Sequence, residues 1–180
     1  MLNCDAWTIS IELLPRRSTH QLQPSRSGPI YTGSVMHDSD GDRLVWHMSL
    51  NGAAPEPRNS GVALPAAWGD ALRAVSHDLR CYRQGRAVDI SRAVWEITVD
   101  EEYVVTVGWA ASGSEVGAWS RRDMVTISAP ADEVTVWVAR SVQDELVEHE
   151  FVQWPIAQGA RMLAPKVLEG RAIWFDTRTH

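Results

Sequence analysis

Residues 93–109, AVWEITVDEEYVVTVGW, constrain the fold more than any other stretch of this chain. Trp95, Ile97 and Val99 recur at every second position, the acidic run Asp100-Glu101-Glu102 interrupts, and Tyr103, Val105, Val107 and Trp109 resume the same period. Successive side chains of a strand point to opposite faces, so this pattern puts one apolar face on each of two strands joined by a turn. It predicts an antiparallel hairpin whose apolar face needs a second layer to cover it.

The rest of the chain supplies that layer. Leu44, Trp46, Met48 and Leu50 alternate with polar neighbours and predict a strand, paired across the turn-forming MHDSDGD segment with IYTGSV upstream. NGAAPEPRNSG, dense in turn formers, reads as a long loop or hinge. Pro65 then opens a stretch in which Trp68, Leu72, Val75 and Leu79 share one helical face, predicting an amphipathic helix over 65–83 stopped by Gly85. AWSRRDMVTISAP predicts another strand, closed by Pro130.

Asp132 and Glu133 follow, where negative charge suits the first turn of a helix. Val134, Val138, Val142 and Leu146, joined by Trp137, Val147, Phe151 and Trp154, extend it to a helix of about 131–153. Pro155 ends it, because the residue before a proline disfavours helical geometry. The β-branched VTVWVAR alone would also suit a strand. RMLAPKV and RAIWFD flank Leu-Glu-Gly and predict a terminal hairpin. The expected class is therefore α+β, a mostly antiparallel sheet of hairpins with two main helices packed on it. At 180 residues, the chain suffices for a single domain over 1–180 that buries about 70% of its unfolded surface, with a flexible N-terminal segment 1–28.

Charge and composition narrow the function. Seventeen basic against 23 acidic residues give a net charge of -6, which argues against a nucleic-acid partner, since that partner demands surplus cations to displace counterions. No run reaches the roughly 20 apolar residues of a membrane span. The N-terminal MLNCDAWTISIELLPRRS places its positive charge after the apolar residues, the reverse of a secretion signal. Cys4 and Cys81 lie too far apart in sequence to suggest a disulfide framework, so a cytoplasmic location is expected.

The C-terminal fifth resembles the tail of an uncharacterised group of small proteins from GC-rich bacteria. Val142, Gln143, Asp144, Trp154, Pro155, Gly170, Ala172 and Trp174 carry the resemblance. Where that pattern places cysteines, this chain has Ala157 and Asp176. A structural zinc site takes four nitrogen or sulfur ligands, so no metal is expected here and the two tryptophans are expected to pin the tail to the long helix. The resemblance implies no activity.

Candidate chemistry is sparse. Asp38 to Asp42 space their carboxylates like a calcium loop, but Arg43 and Ser49 stand where such a loop needs glycine and glutamate. His37 and His47 would face each other across the first turn. His77 and Asp78, adjacent on a helix, are expected to point about 100° apart, and His149 lies among Glu148 and Glu150 on a solvated face. No phosphate-binding or nucleophile-elbow motif occurs. Nine tryptophans remain the unusual feature, most at inward positions. Trp109 and Trp119 bracket the AASGSEVG loop, and with Glu115 they form the expected partner-binding site, aromatic anchors beside charge. The expected function is a non-enzymatic, acidic protein-interaction module of the immunity-protein, inhibitor or adaptor type, without cofactor. The alternative is a small enzyme or small-molecule-binding protein with a pocket between sheet and helices, using His37, His47 and carboxylate partners.

Overall fold

A computed structural model describes residues 43–50, 54–59, 61–79, 92–110, 117–157 and 161–178. Within them, β1 (Leu44–Ser49), β2 (Glu56–Pro57), α1 (Ala66–Leu79), β3 (Val94–Val99), β4 (Val104–Ala110), β5 (Trp119–Thr126) and α2 (Ala131–Glu148) follow in chain order. The five strands form one antiparallel sheet in the order β2-β1-β3-β4-β5. The fold is α+β.

The hairpin read from residues 93–109 is β3 and β4, with Trp95 opposite Trp109 and Ile97 opposite Val107. Its turn is held by Asp100, whose carboxylate accepts the backbone N–H groups of Glu102 and Val104 at 3.0 Å each, while Tyr103 takes a left-handed conformation with φ 60°. Trp46, Met48, Trp95, Ile97, Val105 and Val107 are buried on the face the helices cover. Trp68, Leu72 and Val75 of α1 and Val134, Val138 and Val142 of α2 meet them there. The helical period of VTVWVAR prevails over its strand propensity because it places Val134, Val138 and Val142 together against this core, and burial outweighs a weak local preference.

Several boundaries differ from expectation; Tyr103, read onto the apolar face, precedes β4 and is 68% exposed. The segment read as a loop contains β2, in register with β1 at Trp46–Pro57 and His47–Glu56. Pro57, which lacks an N–H, is tolerated because β2 lies at the sheet edge. The long helix stops at Glu148 rather than near 153. Phe151 adopts φ 52°, and the Val152 N–H turns back to the Leu146 carbonyl at 2.9 Å, so the chain leaves the helix before Pro155 can act on it. The first helix is described from Ala66 to Leu79. Residues 80–83, the IYTGSV strand and the N-terminal segment lie outside the described residues.

The C-terminal tail folds against the helices. β6 (Ile156–Ala157) pairs with β7 (Arg161–Met162), and β8 (Ala164–Leu168) pairs with β9 (Arg171–Phe175), the expected terminal hairpin. Its turn needs two left-handed residues, Glu169 at φ 51° and Gly170 at φ 73°. Trp154 and Trp174 pack edge to face with ring centroids 5.0 Å apart, and the Trp154–Pro155 peptide is cis. The Gln143 side-chain amide donates to the carbonyls of Trp154 at 2.8 Å and Leu163 at 2.6 Å. Asp176 pairs with Arg161 at 2.9 Å. Gln143, Trp154 and Trp174 thus form one junction, where indole packing and the buried Gln143 amide tie the tail to α2.

Candidate functional site

Indole N–H groups organise much of the structure. Trp46 donates to the Val62 carbonyl at 2.8 Å and Trp68 to that of Ile127 at 2.9 Å. Trp95 donates to Ser76 Oγ at 2.7 Å, and Trp137 to Asp123 Oδ2 at 3.1 Å. Each bond fixes a neighbouring segment, and for the buried Trp46, Trp68 and Trp95 it satisfies a donor that burial would otherwise leave costly. Trp119 is the exception, because its N–H is buried without an acceptor among the described residues.

Trp95, Trp109 and Trp119 stand in register across β3, β4 and β5. Trp109 meets Trp95 at 5.1 Å and Trp119 at 5.0 Å between centroids, both edge to face, the geometry the ring quadrupoles favour. Trp109 is only 3% exposed and donates to the Gly117 carbonyl at 2.8 Å. It supports the loop end from within, while Trp119 remains half-buried. A Cβ on Gly108, between the flanking strands, would strike the Trp119 carbonyl oxygen, so this crowding requires glycine. Glu115 lies outside the described residues.

The first residues after that loop reach the end of α2. Gly117 N–H donates to Glu150 Oε1 at 3.2 Å, Arg121 pairs with Asp144, and Asp123 receives the Trp137 N–H. These contacts run in opposite chain order along β5 and α2, so the helix flanks the outer strand, one of the ways proteins protect a sheet edge. β5 also bulges between Arg122 and Thr126, where three residues face the single Val105 of β4, and Met124 in the bulge is 82% exposed.

At this end of α2 three features work against stability. Phe151 is 90% exposed and left-handed. Glu145 and Glu148 occupy the final helical turn, which has no basic residue, and Glu150 follows, although a helix C-terminus favours cations. Burial first, then the Glu148 and Glu150 carboxylates, push the Glu145 carboxyl above its usual range, against the opposing His149 and Arg121. His149 lies 3.2 Å from Glu145.

A second polar cluster occupies the sheet face opposite the helices. His47 stands in register with Glu56 on one side and Glu96 on the other. Its Nε2 is 3.1 Å from Glu96 Oε2, and its Nδ1 accepts the Arg58 Nε–H at 2.9 Å. An arginine nitrogen only donates, so in neutral His47 the proton sits on Nε2, directed at Glu96. Glu96 and Arg58 were missed in the sequence because their proximity follows from strand order rather than spacing. His37 and Asp38 to Asp42 lie outside the described residues.

The third cluster joins α1 to the tail. Asp78 Oδ2 accepts the Trp174 N–H at 2.8 Å, and the Asp78 carbonyl accepts the Trp154 N–H at 3.4 Å. His77 Nδ1 lies 3.3 Å from Asp78 Oδ1, which corrects the expectation that helical adjacency keeps the pair apart. At the end of α1 the side chains bend together. Burial, opposed by the Trp174 and His77 hydrogen bonds and the His77 charge, pushes the Asp78 carboxyl above its usual range.

Among the described residues no group of three or more His, Cys, Asp or Glu is placed to hold a metal ion, and no helix is long and apolar enough to cross a membrane. The arrangement defines an α+β chain with one helix-covered sheet face and an acidic, aromatic end where β5 begins and α2 stops. Comparison with protein-family models, curated proteins and solved structures finds no match.

Proposed function

We propose that the chain is a non-enzymatic, acidic protein-interaction module of the inhibitor, immunity-protein or adaptor type. It engages a cationic protein surface through the junction of α2 and β5, with Trp119 and Phe151 as aromatic anchors. Glu115 and Trp109 belong to the same reading, Trp109 as the buried support of Trp119. The observation that carries the proposal is Phe151, a large apolar side chain left 90% exposed in a left-handed backbone conformation. Exposure and strain both disfavour an aromatic there, and departures from local rules concentrate where function requires them. Glu145, Glu148 and Glu150 beside it supply the complementary charge for a basic partner. The acidic balance of the chain supports a protein rather than a nucleic acid as that partner, and the proposed setting is the cytoplasm.

The test is capture of binding proteins from the source cells by the full chain, followed by reconstitution with the purified partner. A basic partner bound by the parent and lost with Phe151→Gly supports the proposal. A partner that binds both equally overturns the site.

The alternative, a small enzyme or small-molecule binder, draws its support from the His47–Glu96 contact, which orients an imidazole as a catalytic carboxylate would. Both ring nitrogens of His47 are nevertheless engaged, so neither is presented to a substrate. The interaction reading is therefore preferred.

A further inference from the structure

We propose that His47 is a proton-operated clasp that holds the edge strand β2 to the sheet. The groups facing it are Glu56 and Arg58 from the β2 side and Glu96 from β3. In the neutral ring, Nδ1 accepts from Arg58 while Nε2–H points to Glu96, so one side chain bridges three strands. A proton added at Nδ1 converts the acceptor into a donor facing the Arg58 N–H, and places two cations against each other. Glu96 retains the imidazolium; Arg58 is expelled.

The consequence falls on β2 because that strand has few other ties among the described residues. It is two residues long. The Arg58 N–H donates to the Val45 carbonyl at 2.9 Å, and Asn59 Oδ1 accepts the Val45 N–H at 3.0 Å. Asn59 Nδ2 also donates to the Arg43 carbonyl. These bonds lie beside the clasp and are exposed, so they belong to the part of the sheet that opens most readily. The remaining ladder, β1-β3-β4-β5, does not depend on the His47 ring and stays closed.

Amide hydrogen exchange on the full chain tests this, with rates corrected for the intrinsic effect of pH. Between about pH 8 and about pH 5, which brackets imidazole titration, protection of the Arg58 amide should fall about tenfold, the equivalent of one hydrogen bond. Ile97, in the centre of the sheet, should not change. Nitrogen NMR of the His47 ring at the higher pH should show Nε2 protonated and Nδ1 bare. His47→Gln, whose amide can accept from Arg58 and donate to Glu96 at every pH, should keep Arg58 protected throughout. Arg58→Leu, at an exposed position, should leave the segment equally unprotected at both pH values. A wild-type profile that is flat, a ring protonated on Nδ1 instead, or a pH-dependent loss that persists in either variant overturns the clasp.

Discussion

The indole N–H of Trp174 donates to Asp78 Oδ2 at 2.8 Å, joining the last strand of the tail to the end of the first helix across 96 positions of sequence. Trp174 is 7% exposed and packs edge to face on Trp154. Trp174→Ala should therefore cost about 3–5 kcal/mol, the range for truncating a buried large aromatic. Trp174→Phe keeps much of the apolar area but leaves Asp78 Oδ2 without its donor, and should cost about 1–2 kcal/mol. Denaturant unfolding of both variants checks the pair of values, and a loss below about 1 kcal/mol for the alanine variant would mean that the tail is not pinned by this ring.

Asp78 gives the same junction a pH dependence. Burial raises its folded carboxyl above the ordinary aspartate value, so the folded state holds a proton that the unfolded state has released. The contribution to stability is fully present below the unfolded value and is lost as pH rises through the folded one. Asp78→Asn keeps an oxygen acceptor for Trp174 but cannot titrate. Wild type should lose stability relative to Asp78→Asn as pH rises from about 4, the ordinary aspartate range, through the raised value. A difference between them that stays constant across that window would contradict the assignment.

Gln143 is the second tie. Its side-chain nitrogen donates to two carbonyls, those of Trp154 and Leu163, so Gln143→Ala leaves both without a donor and opens a small void. The expected cost is about 2–4 kcal/mol, one unsatisfied group adding about 1–3 kcal/mol and the second part of that again. Thermal or denaturant unfolding measures it, and exchange protection should fall in the tail before it falls in the sheet centre.

How far these ties were legible in the sequence depends on their range. The period-two run from Trp95 to Trp109 specified β3 and β4 because alternation encodes a face and needs no partner to be known. The helical repeat of Val134, Val138, Val142 and Leu146 did the same for α2. Its end was misplaced, since Pro155 sets only an outer limit and the left-handed turn at Phe151 carries no glycine or asparagine to announce it. β2 was invisible because two residues, one a proline, show no period. Trp109 and Trp119 could be singled out as loop margins, but which of them turns inward depends on their shared register with Trp95. Gln143, Asp78, Glu96 and Arg58 act through contacts made by strand order and helix docking, which spacing does not encode.

Phe151 separates function from stability. A non-glycine residue held at φ 52° resists a conformation that glycine adopts freely. Phe151 is also exposed, so little packing is lost with its ring. Phe151→Gly should be neutral or stabilising by up to about 1 kcal/mol in denaturant unfolding. Destabilisation by more than about 1 kcal/mol would show that the ring serves the fold rather than a partner.

The proposed interaction is tested most directly by the dissociation constant of the full chain for its purified cationic partner, measured by calorimetry for the parent and for Phe151→Gly. The account predicts affinity at least about tenfold weaker in the variant, more than about 1.4 kcal/mol, with folding stability retained and a further weakening as salt is raised. Equal dissociation constants for the two proteins would contradict it.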